Sequence, residues 1–269
     1  MISLSASSRG GRSKPEVTVS VQNLSIEYRT TFERMPTFRG TLIRFGQGKR
    51  ATRTVKALTD VSFDVGLGQK VGIIGANGAG KSTLMRALAG ALPPSRGRIE
   101  VDGNVSALLA LGVGFNPQLT GRENVILGGL ASGMHPDEVA ARADSVAEFA
   151  ELEEFIEAPI RTYSSGMFQR LAFSVSVHME PDILLVDEAL SAGDAHFRTK
   201  AAKKMDEMMQ TARAMFLVSH SLGTIKELCD EAIWLHKGRL MMQGSTAKCV
   251  KAYEKFLDVG ETAFIMEEM

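Results

Sequence analysis

The stretch GANGAGKST, residues 75–83, decides the fold predicted for this chain. It follows KVGIIG at 70–75, a continuous apolar run typical of a buried parallel strand. Its glycines let backbone N–H groups curl around phosphate oxygens, and a helix starting near Gly80 would add partial positive charge. Lys81 supplies a charge for the β- and γ-phosphates, and the Ser82 hydroxyl supplies a ligand for Mg²⁺. The strand–loop–helix context therefore predicts a phosphate-binding loop.

This loop and the start of its helix supply most of the predicted nucleotide-binding residues. They are Gly75, Ala76, Asn77, Gly78, Ala79, Gly80, Lys81, Ser82 and Thr83.

A second apolar strand, ILLVDE at 183–188, ends in two acids. Asp187, at the end of a buried strand, can hold the Mg²⁺ shell together with Ser82. Glu188 can polarise an attacking water as a general base. Two adjacent acids at a strand end can also be ordinary surface residues, but the phosphate loop favours the catalytic interpretation. Ser82 and Asp187 are thus the predicted metal ligands.

Strands alternate with helices along the chain, which predicts an α/β fold with a largely parallel sheet. A helical block at about 119–178 is inserted into it, and the capping-box spacing of Thr120 and Glu123 marks its start. We expect one domain at 17–257 between a disordered tail at 1–16 and a C-terminal tail at 258–269. Strands are predicted at 17–28, 60–65, 70–75, 97–103, 104–111, 182–188 and 214–220, with a hairpin at 231–245 and a helix at about 245–257.

Composition narrows the classes of function. The chain is 44% hydrophobic and 23% charged with a formal net charge of zero, so no global preference for nucleic acid is expected. Its two cysteines have no metal-binding spacing and are expected to be buried thiols in a reducing compartment. No apolar run reaches membrane-spanning length, and the N-terminus lacks the apolar core of a signal peptide. These features predict a cytoplasmic protein that acts at a membrane only through a partner.

The stretch YSSGMFQRLAFSVSV at 163–177 presents a hydroxyl and backbone donors at a helix start, which suits a phosphate. Its place between the phosphate loop and the Asp187 strand makes YSSGM resemble the signature motif of ATP-binding cassette (ABC) proteins, usually LSGGQ. In that family the signature of one subunit closes over the ATP that another subunit holds. The resemblance implies that Ser164, Ser165 and Gly166 act in this way.

Three further positions resemble family motifs. SAGD at 191–194 is similar to the loop that crosses the dimer interface, which implies an interface role for Asp194. His220, at the end of FLVSH, resembles the histidine that contacts the γ-phosphate, and with Glu188 it forms the implied catalytic pair. Tyr28 resembles the aromatic that stacks on adenine, although a core tyrosine explains it nearly as well. ATP and Mg²⁺ are the implied cofactors.

The resemblance covers about 17–257 and implies a P-loop ABC nucleotide-binding domain. Such a domain has a mostly parallel sheet core, an antiparallel β subdomain and an inserted α-helical subdomain. Three segments together resemble the branch that exports lipid-linked O-antigen, teichoic acid, capsule or galactan chains. These segments are SALLALGVGFNPQLTGRENV, YSSGMFQRLAF and ILLVDEALSAGDAHFRTK.

This branch implies an ATP-hydrolysing homodimer at the cytoplasmic face of the inner membrane. Its expected partners are a separate membrane-spanning permease subunit and a lipid-linked polysaccharide, with no nucleic acid. Overall resemblance favours a galactan or O-antigen cargo. Some relatives carry a C-terminal carbohydrate-binding domain, and because this chain ends at Met269 we expect no recognition of a terminal sugar cap by it.

The alternatives are a cassette of another transporter class, a soluble cassette ATPase or a non-catalytic scaffold. Translation cassettes usually occur in pairs within one chain, and DNA-repair cassettes usually carry a long coiled coil before the signature. Here 83 positions separate Lys81 from Ser164, without a heptad run. The presence of Lys81, Asp187 and Glu188 argues against a scaffold.

Two stretches leave open questions. Residues 29–56 interleave basic with aromatic and aliphatic residues, which fits either an amphipathic segment near anionic headgroups or a solvated insertion between strands.

The second stretch is 104–124. In the family a nucleotide-sensing glutamine precedes a proline by about six positions, and here that count from Pro117 reaches Leu111. Gln118 lies beyond the proline and is expected to face a partner subunit. Gly112, Gly114 and Phe115 predict a close-packed turn that points an aromatic outward.

Overall fold

The computed structural model describes residues 2–3, 17–31, 52–107, 112, 114–132, 134–178, 181–187 and 195–260. Three positions with predicted roles, Leu111, Glu188 and Asp194, lie outside the described residues, as do most of the two predicted tails.

A six-stranded sheet forms the core, with strands ordered β10-β9-β4-β8-β7-β6. The central pairs β4–β8, β4–β9, β7–β8 and β6–β7 are parallel, and only the edge pair β9–β10 is antiparallel. The carboxyl ends of the parallel strands therefore meet along one edge, where ligands bind in such sheets. The strands are β4 (Gln69–Ile74), β6 (Val105–Ala107), β7 (Ile183–Asp187), β8 (Ala214–Val218), β9 (Glu231–His236) and β10 (Arg239–Ser245).

A second, four-stranded sheet has the order β1-β5-β2-β3. Strand β2 is antiparallel to both of its neighbours, whereas the short β1 pairs with β5 in parallel. The described residues thus confirm the predicted fold class, a parallel core with an antiparallel β subdomain. The strands are β1 (Ile2–Ser3), β2 (Val17–Thr31), β3 (Thr52–Gly66) and β5 (Arg96–Val101).

The helical block lies between β6 and β7, as predicted, and contains α2 to α4 with a short 3₁₀ turn. Thr120 caps α2 in a capping box with Glu123, which confirms that prediction. The helices are α1 (Lys81–Leu88), α2 (Gly121–Ala131), α3 (Pro136–Ala150), the 3₁₀ turn (Ile160–Thr162), α4 (Ser165–His178), α5 (Ala195–Thr211), α6 (Leu222–Leu228) and α7 (Thr246–Val259).

Apolar side chains form three clusters. One lies between the two sheets and α1, and a second lies on the other face of the parallel sheet, under α4 to α7. The third is confined to the helical block and the connection that follows α3. The helical block therefore has a core of its own and meets the sheets along a limited border.

The ends of the basic stretch 29–56 differ from the amphipathic segment considered above. Arg29 pairs with Thr54 and Thr31 pairs with Thr52 in the antiparallel ladder of β2 and β3. These ends are extended because they are rich in β-branched threonine and valine, which favour strands. The described ends of the stretch are therefore paired strands, and residues 32–51, which hold its aromatic residues, lie outside the described part of the chain.

The two cysteines, Cys229 and Cys249, are free and buried, as predicted. Burial, with the charge of Asp230 nearby, raises the pKa of the Cys229 thiol to about 12, so that it stays protonated at neutral pH. Among the helices that the structure describes, none is both long enough and apolar enough to cross a bilayer.

Candidate nucleotide-binding site

A cleft of about 410 Å³ opens at the carboxyl edge of the parallel sheet. It gathers residues from widely separated parts of the sequence, including the strand ends of β2, β7 and β8 and the start of α1. Its lining residues are Tyr28, Val55, Lys56, Ala57, Asn77, Gly78, Gly80, Lys81, Ser82, Thr83, Asp187, Val218 and His220.

The phosphate loop connects β4 to α1 and is shaped by close backbone packing. Gly75 and Gly80 have φ angles of 144° and 109°, a region that side chains rarely adopt. A Cβ on Gly75 would overlap the Leu235 carbonyl oxygen, and one on Gly80 would lie 2.7 Å from Leu58 Cδ2. Gly75, Ala76 and Ala79 are thus structural members of the loop, and the other predicted loop residues line the cleft.

Lys81 is folded back onto the loop. Its Nζ donates hydrogen bonds to the carbonyl oxygens of Gly75 and Ala76, at 2.7 and 3.1 Å. Burial lowers the pKa of Lys81, and the nearby charge of Asp187 opposes that shift. The ammonium group is therefore held at the cleft, beside the carboxylate that ends β7.

The hairpin turn between β9 and β10 is hydrogen-bonded to the phosphate loop, a contact that was not predicted. Gly238 N donates to Ala79 O at 2.9 Å, and Thr59 N donates to Gly238 O at 2.8 Å. This one residue thereby joins the phosphate loop to β3 of the antiparallel sheet. The sequence identifies the turn through Lys237-Gly238 but gives no sign of what the turn contacts.

The remaining predicted residues form the walls of the cleft. Ser82, Asp187 and His220 line it together, and the strand-end carboxylate and the hydroxyl supply the oxygen ligands that Mg²⁺ prefers. Tyr28 is half-buried, packs against the core and also lines the cleft, so its two interpretations are compatible. Val55, which pairs with Tyr28 across the ladder, extends the same wall and was missed.

The signature residues lie elsewhere. The Ser164 side chain accepts a hydrogen bond from Met167 N at 3.2 Å, which caps α4, and Ser165 begins that helix. A Cβ on Gly166 would have Ser164 Oγ, 3.9 Å away, as its nearest contact. Among the described residues that line the nucleotide cleft, none belongs to the signature. Ser164 and Ser165 are exposed, outside this cleft.

Residues 112–124 link the parallel sheet to the helical block that contains the signature. A Cβ on Gly112 would lie 2.6 Å from Phe168 Cζ, which confirms the predicted close-packed turn. The prediction that Phe115 points outward is wrong, since its ring packs edge-on against Phe168 with centroids 5.8 Å apart. Gln118 is exposed, outside the cleft. An aromatic partner on the signature helix draws Phe115 inward.

A buried asparagine, Asn124, holds the same segment in place and was missed. Its Nδ2 donates to the carbonyl oxygens of Asn116, Leu119 and Thr120, and its Oδ1 accepts from Asn116 N at 2.7 Å. The segment also bonds through its backbone to residues 156–161, just before the signature. Asn124 and these backbone bonds therefore hold the segment against the stretch of chain that leads into α4.

A phosphate loop at a strand–helix junction, facing a strand-end aspartate in a parallel sheet, defines a P-loop nucleotide-binding domain. The profile of the ABC transporter family matches residues 58–191. The chain belongs to this family, and the domain described above is its ATPase domain.

Three curated relatives are export ATP-binding proteins. The O-antigen export system ATP-binding protein RfbB of Myxococcus xanthus is 41% identical over 88% of this chain and 55% of its own length. The RfbB protein of Klebsiella pneumoniae is 42% identical over 77% of this chain and 86% of its own. The teichoic acids export ATP-binding protein TagH of Listeria monocytogenes is 39% identical over 90% and 71%. The chain spans about half the length of the Myxococcus relative.

A solved structure supports the fold. An ATP-binding subunit of an ABC transporter superposes with a TM-score of 0.64 and 24% identity, over 93% of this chain and 98% of that one.

Proposed function

We propose that this chain is the ATP-hydrolysing subunit of an exporter of lipid-linked polysaccharide. The observation that carries the proposal is the single cleft in which the phosphate loop, Asp187, His220 and Tyr28 meet. The names of the curated relatives, which are O-antigen and teichoic acid export proteins, support the cargo class.

In this proposal the residues of the cleft bind and orient ATP. Backbone N–H groups of the loop and the N-terminus of α1 bind the phosphates, and Lys81 adds its charge. Ser82 and Asp187 would hold Mg²⁺, which when bound neutralises charge on the β- and γ-phosphate oxygens. Tyr28 offers a face for the adenine ring, and His220 lies where it can contact the terminal phosphate.

Hydrolysis needs a base and exclusion of bulk water. Glu188 follows Asp187 directly in sequence and is proposed as the group that orients the attacking water. The signature residues Ser164, Ser165 and Gly166 lie outside their own cleft and are proposed to close over the ATP of a second copy. Asp194 is proposed to cross the same interface. A homodimer with two ATP sites follows from this arrangement.

A membrane-spanning permease subunit is the proposed partner, at the cytoplasmic face of the membrane. A small cavity of about 190 Å³ beside α2 supports the contact, because small residues leave it open to a partner's side chain. Its lining includes Ser106, Gly112, Phe115, Gly128, Ser132 and Val175. The turn at Gly112 thus joins the partner-facing cavity to the signature helix through Phe168.

The proposed cargo is an O-antigen or teichoic acid type of glycan. These two cargoes appear in the names of the reported relatives. The expected galactan cargo has no such support.

The test compares the parent protein with Glu188→Gln. We expect the variant to bind ATP with unchanged affinity and to lose nearly all turnover, whereas the matched exposed change Glu227→Gln alters neither. Turnover near the parent's rate in Glu188→Gln would exclude the assigned base.

The cargo is tested in cells that lack the gene. Surface glycan should disappear, return with the parent gene and stay absent with Glu188→Gln. Normal surface glycan in the deletion strain would favour the second function, a cassette ATPase outside polysaccharide export.

A further inference from the structure

Glu151 has a backbone conformation that its residue type does not favour. It ends α3 with φ 56° and ψ 50°, the left-handed region, while its N–H bonds to the carbonyl oxygens of Ala147 and Glu148. Helices that end in this way usually place glycine or asparagine there, because a Cβ is strained in this region. A glutamate at such a position points to a role for its side chain.

That side chain meets three basic groups. Glu151 Oε2 accepts a hydrogen bond from Arg170 Nη1 at 3.1 Å. Its Oε1 lies 3.5 Å from His196 Nδ1 and 3.7 Å from Lys200 Nζ. The Arg170 side chain is only 18% exposed, and the carboxylate is 38% exposed. Removing the carboxylate would therefore leave a poorly solvated guanidinium beside other basic groups.

The three basic groups belong to two different helices. Arg170 lies on α4, the helix that the signature begins, five positions after Ser165. His196 and Lys200 lie on the first turns of α5, which begins directly after the predicted interface loop at 191–194. Lys200 also lies over the Phe149 ring, 4.7 Å from its centroid, which fixes it against the end of α3.

We propose that Glu151 is a positioning residue that joins the signature helix to the start of α5. The carboxylate neutralises basic groups that would otherwise repel each other across the two helices. The signature and the interface loop then keep one relative placement when a second copy docks. This inference rests on the proposed function, since it assumes an ATP-dependent dimer.

The test uses Glu151→Gly and Glu151→Gln in a Glu188→Gln background, which prevents turnover from consuming ATP. Both changes remove the carboxylate, but only glycine also relieves the left-handed backbone, so Glu151→Gly should melt at a higher temperature than Glu151→Gln. Its affinity for a fluorescent ATP analogue, measured on the single chain, should change by less than about twofold, because Glu151 does not line the cleft.

The decisive readout is the dissociation constant of the ATP-dependent dimer, measured by analytical ultracentrifugation. We expect it to rise about tenfold in both Glu151 variants, equivalent to about 1.4 kcal/mol. The control Glu148→Gln, an exposed change one turn earlier on α3, should leave it unchanged.

The outcomes separate this inference from the proposed function. If the Glu188→Gln protein itself stays monomeric in ATP, the proposed function fails and the inference fails with it. If that protein dimerises and Glu151→Gly dimerises equally well, only the positioning role is excluded. If Glu151→Gly melted no higher than Glu151→Gln, the left-handed backbone would not be strained and the premise of the role would be overturned.

Discussion

The nucleotide cleft and the signature at the start of α4 differ in how much of a binding site each forms within one chain. In the cleft, strand residues and a tightly packed loop line the cavity from several sides, and Gly238 N donates a hydrogen bond to the loop at Ala79 O. At the signature, Ser164 is exposed and caps α4, and a Cβ on Gly166 would have open space around it. On the proposed function, the first region binds a nucleotide within one chain, whereas the second acts on the nucleotide of another copy. Changes in the two regions should therefore separate binding from turnover.

The largest effect is expected in the cleft, from Lys81→Met. Loss of a buried charge that meets phosphate oxygens should cost about 3 kcal/mol, or about a hundredfold in ATP affinity. Equilibrium binding of a fluorescent ATP analogue measures it, with Lys248→Met on α7 as the control. Affinity within a few-fold of the parent would show that the loop binds phosphate mainly through its backbone.

At the signature, Gly166→Asp should lower turnover at least about tenfold and leave the ATP affinity of the single chain unchanged. The added carboxylate has open space in one chain but would face a partner's phosphates. Equimolar mixing of Gly166→Asp and Lys81→Met proteins should restore part of the turnover, because a mixed dimer contains one intact site. No restoration in the mixture would argue against closure between copies.

The connection between the two regions is tested by Asn124→Ala. The N–H of Asn116 would lose its acceptor, and three carbonyl oxygens would each lose one of two donors in a buried site, so we expect about 2 kcal/mol less free energy of unfolding. Urea denaturation gives this value, with the exposed Asn104→Ala as its control. ATP affinity should be retained, and a variant that loses both together would show that the two regions are not independent.

The smallest effect is expected from Thr120→Ala, which removes the cap of α2. The expected loss is about 1 kcal/mol of unfolding free energy, and Thr120→Ser should recover most of it because the hydroxyl remains. Thermal denaturation followed by circular dichroism measures both. Equal losses in the two variants would mean that the methyl group, not the cap, stabilises the helix.

The sequence was sufficient to predict the structural features that are encoded by a few neighbouring residues. The phosphate loop, the strand that ends in Asp187 and the cap at Thr120 each follow from a few neighbouring residues. The parallel order of the core followed from alternating strands and helices. The loop, the strand end and the cap are each encoded within a short span of chain, and the parallel order follows from the alternating pattern of strands and helices along the sequence.

The parts that were missed depend on contacts between distant residues. Asn124 looks like any polar residue on a helix, and only the fold shows that it is buried against its own preceding loop. Phe115 was assigned to the surface because Phe168, its partner, lies on another helix. The ladder from Thr31 to Thr52 was hidden by the basic composition around it.

The turn at Gly238 has a consequence for synthesis of the chain. Strand β4, which leads into the phosphate loop, has β8 and β9 as its neighbours, and both are made long after it. A nascent chain that ends before β9 therefore lacks one neighbour of β4, and one that ends before Gly238 lacks the hydrogen bond to Ala79. The phosphate loop therefore has all of these contacts only after most of the polypeptide has been synthesised.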